Sequence, residues 1–346
     1  MTRVTIEGEK FFVDGKPLYE GRTYKGNPVE GLLFNTRMVQ AIFDDENPET
    51  AANWAYPDTG EWDAERNVKE FIAALPSYVD HGCRAFTVNL QGGMPITGTE
   101  RVQPWLNTAI DPEGNLKPDY MDRLRRVIAA ADDLGMVVIV GYYYFGQDQY
   151  IENEEAVRSG VANATRWLID SGFENIVVEI NNEADIPHYD HPILKPPRVH
   201  ELIELAQSVK GTAGLPIATS FAGGSYHKDI AKGLPTDAVI NASDFIIVHT
   251  NKWDPEHTRE VVESVRLKAA YKERPVPIVI NEDSVSVDNM FAAVEVYAPW
   301  GYYDQGDNNY RDGFQSPPVN WTICTPEKER FFKSVAEITG TEVNES

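Results

Sequence analysis

The chain has 346 residues, 42% of them hydrophobic and 25% charged, enough apolar surface for a sizeable core and too much for disorder, a collagen or a small disulfide scaffold. Against 31 Lys and Arg stand 54 Asp and Glu, a net charge of −23. That field repels phosphate backbones and anionic headgroups, so neither nucleic acid nor a membrane surface is expected as a partner. No signal-peptide run opens the sequence, and no segment approaches the roughly 20 apolar residues of a membrane span. The chain therefore reads as soluble, with the compartment open because a removed leader leaves no trace.

The opening VTIEGEKFFVDGKPLY alternates apolar and polar residues around EGE and DGK turns, which predicts a small N-terminal β-hairpin within residues 1–20, lying beneath the core. GLLFN (31–35) is the first strand candidate. Val68, Phe71, Ile72, Leu75 and Val79 then stripe a helix that Gly82 ends, and AFTVNL (85–90) follows. Met121, Leu124, Val127, Ile128 and Leu134 repeat the stripe before Gly135 and MVVIVGYYYF, and Val157, Val161, Trp167 and Leu168 repeat it again before Gly172 and IVVEINNE. Val199, Leu202, Ile203, Ala206 and Val209 lead through Gly214 to PIATS (216–220), and a shorter helix leads to DFIIVHT (244–250). Helices near 261–265 and 289–298 precede PIVINED (277–283) and GYYDQ (301–305), and a last one spans about 326–338.

Eight apolar strands returned by helices predict an α/β fold with a parallel sheet, closed as a (β/α)8 TIM barrel. An open doubly wound sheet is the runner-up, but neither Gly92-Gly93 nor Gly223-Gly224 extends to the glycine fingerprint of a dinucleotide site. No linker or composition break divides 1–346, so one catalytic domain is expected. Cys83 and Cys324 fit no metal or redox spacing and read as free structural thiols.

In such a barrel the strands' carboxyl ends build the active site. Those ends carry Arg37, Asn89, Tyr144, Asn182, Glu183, His249, Asn251, Glu282 and Tyr303, an amide-rich and aromatic set suited to a hydroxylated ligand. Glu183 and Glu282 each end an apolar strand, the fourth and the seventh, across the mouth from one another. Paired carboxyl groups flanking a bond are the requirement of glycoside hydrolysis, and a separation of about 5–5.5 Å gives retention. Glu179, deeper in its strand, reads as a buried structural acid.

The run Glu179-Ile180-Asn181-Asn182-Glu183, with Ile280-Asn281-Glu282 three units later and the opening FFVDGKPLYEG, resembles glycoside hydrolase clan A and within it the cellulase-type family 5. The resemblance implies Glu183 as general acid/base, Glu282 as nucleophile and Asn182 as donor to the sugar 2-hydroxyl, with Arg37 and His249 in support and no cofactor. An ionised Glu282 nearby is expected to raise the pKa of Glu183. Three departures stand out: Ala184 where the family commonly has proline, Asn281 where glycine is frequent, and Asn251 where the clan often places a tyrosine that orients the nucleophile.

Among the loop aromatics, Trp300 and Trp321 are the two expected to stack on sugar, alongside Tyr144 and Tyr303, while Asn89 and His249 would bind hydroxyls. Arg37 has Asp44 and Asp45 as alternative partners. His188-Tyr189-Asp190-His191 lacks a zinc spacing and is expected to line the cleft as a loop, and DQGDNNYRDG (304–313) does not match an EF-hand. The expected activity is retaining hydrolysis of β-glycosidic bonds in a poly- or oligosaccharide. A carbohydrate-binding pseudoenzyme and a metal-dependent barrel hydrolase are the rivals. Sugar identity, exo or endo action and oligomeric state are not readable from these residues.

Overall fold

A computed structural model describes residues 1–96, 102–210 and 214–343. It opens with three short antiparallel strands, Val4–Glu7, Lys10–Val13 and Lys16–Pro17, one more than the expected hairpin. Asp14 and Gly15 both take positive φ, 53° and 76°, which is the two-residue turn that suits the right-handed twist of the flanking strands.

Eight parallel strand positions follow: β1 Asn35–Arg37, β2 Ala85–Asn89, β3 Val137–Tyr143, β4 Ile176–Asn181, β5 in two pieces (Ile217–Ala218 and Ser220–Phe221), β6 Ile246–His249, β7 Ile278–Glu282 and β8 Gly301–Tyr302. One sheet runs β5-β4-β3-β2-β1-β8 and the other β5-β6-β7. Strand β5 changes partners at Thr219, whose hydroxyl binds the carbonyl and side-chain oxygens of Asn181 at 3.0 and 2.7 Å. Between β7 and the β8 segment, the Ile280 and Asp283 N–H groups donate to the carbonyls of Pro299 and Gly301 at 3.0 and 3.1 Å.

Helices α1 Ala64–Asp80, α2 Pro118–Asp133, α3 Glu154–Asp170, α4 His200–Lys210, α5 Asp237–Ala242, α6 Pro255–Leu267, α7 Ala269–Glu273, α8 Val287–Glu295 and α9 Pro326–Thr339 alternate with the strands. Their starts are capped as the sequence dictates: Asp63, Asn153 and Asp254 each accept a hydrogen bond from the backbone N–H three residues on. None of the helices formed by described residues is long and apolar enough to cross a membrane.

Alternation along the strands divides the core in two. Phe86, Val88, Val138, Val140, Val178, Ile180, Val248 and Ile280 join the helix stripes in one large apolar cluster. The intervening Leu33, Ala85, Val137, Ile139, Val177, Ala218, Ile247 and Val279 meet Val4, Phe11 and Leu18 of the N-terminal segment in a second. The N-terminal strands therefore cover the amino ends of β1–β7. Burying a phenylalanine such as Phe11, wholly inaccessible here, contributes about 1.5–3 kcal/mol. Carrying the same alternation two or four residues further brings Arg37, Asn89, Glu179, His249 and Asn281 inward at the carboxyl ends, all of them buried. Cys83 and Cys324 are free thiols.

Candidate active site

Arg37 on β1 is the hub of the carboxyl ends. Its Nη1 lies 3.2 Å from Glu179 Oε2, its Nε 2.5 Å from Glu282 Oε2, and its Nη2 donates to Asn182 Oδ1. Burial works against the guanidinium charge, but Glu179 and Glu282 outweigh it and hold the pKa above the usual arginine range. Asp44 is engaged elsewhere, by Arg123 and Trp62, so the alternative pairing of Arg37 does not occur. Glu179 also accepts from Asn281 Nδ2 at 3.1 Å, the structural role expected of it.

Strand β6 delivers His249 through a register shift between Val248 and His249 that sets the histidine opposite Glu282. His249 Nδ1 lies 2.9 Å from Glu183 Oε1 and 3.7 Å from Glu282 Oε2. Burial depresses the His249 pKa and favours the neutral ring, against the opposing pull of Glu282. Asn251 Nδ2 donates to Glu282 Oε1 at 2.9 Å. The two oxygens of Glu282 are thus held separately, by arginine and by amide.

Glu183 sits just past β4 with φ of +48°, a left-handed conformation rare for a residue with a long side chain. Ser220 on β5 fixes it there, its Oγ accepting the Glu183 N–H at 2.7 Å while its carbonyl accepts the Ala184 N–H at 2.8 Å. The Glu183 side chain is 12% exposed, and burial lifts its pKa to about 7 against the opposing pull of Arg37. Glu179 is a negative neighbour that adds to the rise, and the repulsion between Glu183 and Glu282 raises Glu282. Burial also raises Glu282, with Arg37 and then His249 pulling it back down. The pair is therefore divided into a group that keeps its proton near neutrality and a group braced for negative charge.

Both carboxylates open on a cavity of about 530 Å³, with Tyr144, Phe145, His188, Tyr226 and Tyr303 among its walls. Of the residues expected at the site, Glu183, Glu282, Tyr144 and Tyr303 face this cavity, and Arg37, Asn182 and His249 stand directly behind the carboxylates. Asn89 is 2% exposed, its amide packed over Gly141, and it is not among the residues that line the cavity. Trp300 and Trp321 are also not sugar platforms. Trp300 packs among Tyr302 and Phe331, and Trp321 stacks on Phe314 and donates to Asn67 Oδ1 at 3.0 Å, both inside the outer apolar cluster. Gly301 is pressed against Asn281 and Asn35, so alternation turns Trp300 outward, a signal the sequence carried.

Asn251 lines the cavity as well, as do Lys252 and Gln305, which were not among the expected site residues. Asn251 had a signal: it fills the position two after His249 where the clan often carries its nucleophile-orienting tyrosine. In the 188–191 segment, the His191 ring bonds to the carbonyls of Asp148 and Ile151, and His188 packs against Phe145 and Tyr226 as a cleft wall. The 304–313 stretch is a loop in which Asn309 Oδ1 accepts from the Arg311 and Asp312 N–H groups. Among the described residues, the group with spacing to hold a metal is Glu183, His249 and Glu282, with one donor atom from each mutually within 4.8 Å. The Arg37 charge on Glu282 opposes a cation there.

No family model matches the chain, and no curated protein matches it in sequence. Solved structures do match. An endo-1,4-β-mannanase from Rhizomucor miehei superimposes with a TM-score of 0.58 at 13% identity over 98% of this chain and 100% of that one. A broad-specificity endoglucanase from Bacteroides salanitronis gives 0.58 at 12%, over 89% and 93%. A glycoside hydrolase family 5 enzyme from Prevotella bryantii gives 0.52 at 14%, over 87% and 95%. The chain has the fold of glycoside hydrolase family 5.

Proposed function

We propose that the chain, acting as one catalytic unit, is a (β/α)8-barrel glycoside hydrolase that cleaves β-glycosidic bonds with retention of configuration. The observation that carries this reading is the carboxylate pair: donor oxygens of Glu183 and Glu282 within 4.8 Å of one another at the cavity floor. That spacing fits the roughly 5–5.5 Å of a covalent two-step reaction better than the roughly 6.5–9.5 Å of inversion.

Glu183, protonated near neutrality, gives its proton to the leaving oxygen as Glu282 forms a bond to the anomeric carbon and the glycosidic C–O bond breaks. Glu183, now ionised, takes a proton from water, whose oxygen attacks the anomeric carbon and releases Glu282 as carboxylate. Arg37 and Asn251 stabilise Glu282 whenever it carries charge, so the amide at 251 takes over the orienting task of the absent tyrosine. Asn182 has its Oδ1 held by Arg37 and its Nδ2 without a partner among the described residues, a donor available to a sugar 2-hydroxyl.

The test is product release from a panel of aryl β-glycosides and polysaccharides by the native protein, Glu183→Gln and Glu282→Gln, with the anomer of the first product read by proton NMR. Retention, with losses of about 10²–10⁴-fold for Glu183→Gln on substrates with poor leaving groups and at least as much for Glu282→Gln, is expected. Undiminished turnover in Glu282→Gln would falsify the nucleophile assignment. Binding of a sugar without turnover of any would make the protein a carbohydrate-binding one.

A further inference from the structure

Resting on the glycosidase reading, we propose that Asp283 is a positioning residue of the reaction: through Thr250 and Asn289 it fixes the turn that aims Asn251 at the nucleophile.

Asp283 follows Glu282 at the end of β7 and is 1% exposed. A carboxylate buried to that degree is costly unless hydrogen bonds satisfy it, and here they do. Its Oδ2 accepts the Thr250 hydroxyl, its Oδ1 accepts the Ser284 hydroxyl, and Asn289 Nδ2 lies 3.0 and 3.2 Å from the two oxygens. Neither Asp283 nor Thr250 is among the residues that line the cavity, so this cluster reaches a substrate only through another group.

That group is Asn251. The register shift that sets His249 opposite Glu282 interrupts the regular pairing of β6 and β7. Beyond it Thr250 ties the two strand ends together, with its N–H on the Glu282 carbonyl at 3.1 Å and its hydroxyl on Asp283. The turn that follows closes with the Trp253 N–H on the Thr250 carbonyl at 3.1 Å, and Asn289 Nδ2 donates to the Trp253 carbonyl at 2.8 Å. Asp283 thus holds the first residue of the turn directly and the last through Asn289. Asn251 lies between them, its Nδ2 2.9 Å from Glu282 Oε1. Two neighbours on one strand end are linked to two neighbours on the other, Glu282 to Asn251 and Asp283 to Thr250, in a closed ring that includes the nucleophile.

The turn needs this bracing. Lys252, next to Asn251, has φ of +64°, a conformation that glycine takes freely and that costs a residue with a side chain. Without the ring, the turn is free to relax there and carry the amide away from Glu282. A displacement of about 1 Å near reacting groups costs on the order of 100-fold in rate.

The experiment is a double-mutant cycle on an aryl β-glycoside that the native protein cleaves. Values of kcat and KM per folded molecule are measured for Asp283→Ala, Thr250→Val, Asn251→Ala and the two doubles that include Asn251→Ala. Asp283→Ala is expected to lower kcat and kcat/KM together by about tenfold and Thr250→Val by about threefold, with KM little changed. In the Asn251→Ala background neither change should cost anything further, because the amide they aim is gone. A general loosening of the fold would reduce activity equally in both backgrounds, so losses that multiply overturn the proposal, as does a native kcat in Asp283→Ala. If Asp283→Ala does not fold, Thr250→Val decides alone, since it leaves Ser284 and Asn289 on the carboxylate. A native protein that cleaves no glycoside of a broad panel overturns the glycosidase reading instead, and this inference with it.

Discussion

The inner faces of the same strands carry two chemistries, one at each end. At the amino end Leu33, Ala85, Val137, Val177, Ile247 and Val279 meet Phe11 in a dry apolar layer that needs nothing beyond close packing. At the carboxyl end Arg37, Glu179, His249, Asn281 and Glu282 are just as buried, yet their stability depends on each charge and lone pair finding a partner. That account does not close: among the described residues, Asn35 Oδ1, Glu179 Oε1, Asn182 Nδ2, His249 Nε2 and Asn281 Oδ1 have no hydrogen-bond partner. One end is a foundation, and the other holds buried polar groups with capacity to spare.

The sharpest way to break that division is at its hub. Arg37→Met should cost about 3–5 kcal/mol, because it strands Glu179 and Glu282 as buried acids, and should also remove turnover; urea unfolding and assay of the same sample read both effects. Phe11→Ala is the counterpart at the other end. It should lose about 3–5 kcal/mol in the same unfolding measurement while kcat per folded molecule stays at the native value. A drop in kcat for Phe11→Ala would mean that the two ends are coupled. Asn251→Ala removes a hydrogen bond to a charged group worth about 1.5–3 kcal/mol, and the loss should fall on kcat rather than on unfolding.

The smallest effect is a matter of pH. Glu183 must be protonated to act as acid and titrates near 7, so kcat/KM should fall tenfold per unit as pH rises beyond about 7. In Glu183→Gln, that alkaline limb should vanish from whatever activity remains. A limb that persists would belong to another group.

Most of this division was legible in the residues. Runs such as MVVIVGYYYF and the helix stripes announced the strands because both faces are buried, and strand-end Glu183 and Glu282 stood out against them. The first strand was misplaced, at 31–35 instead of Asn35–Arg37, because Gly31 hydrogen-bonds to Phe11 and Leu18 of the N-terminal segment instead of to neighbouring strands. The break in β5 depends on a threonine hydroxyl finding Asn181, a tertiary event with no local pattern. Trp300 was misjudged because residue type was weighed over alternation: a tryptophan at a strand end faces helices or ligand according to parity alone, whereas Trp321 lies in the segment between β8 and α9, where no alternation applies.

Glu183 adopts a left-handed backbone that a residue of its kind tolerates only at a cost of about 1–3 kcal/mol. Glycine would relax there, and it would also remove an acid from a site that resists its charge. Glu183→Gly should therefore unfold at higher denaturant than the native chain while losing catalysis. Random mutation acting on stability alone would drive this position away from glutamate, so in the proposed function it is the chemistry that holds glutamate here. A lineage that had abandoned the chemistry and kept only the sugar-binding cleft would have every physical reason to erase this side chain early.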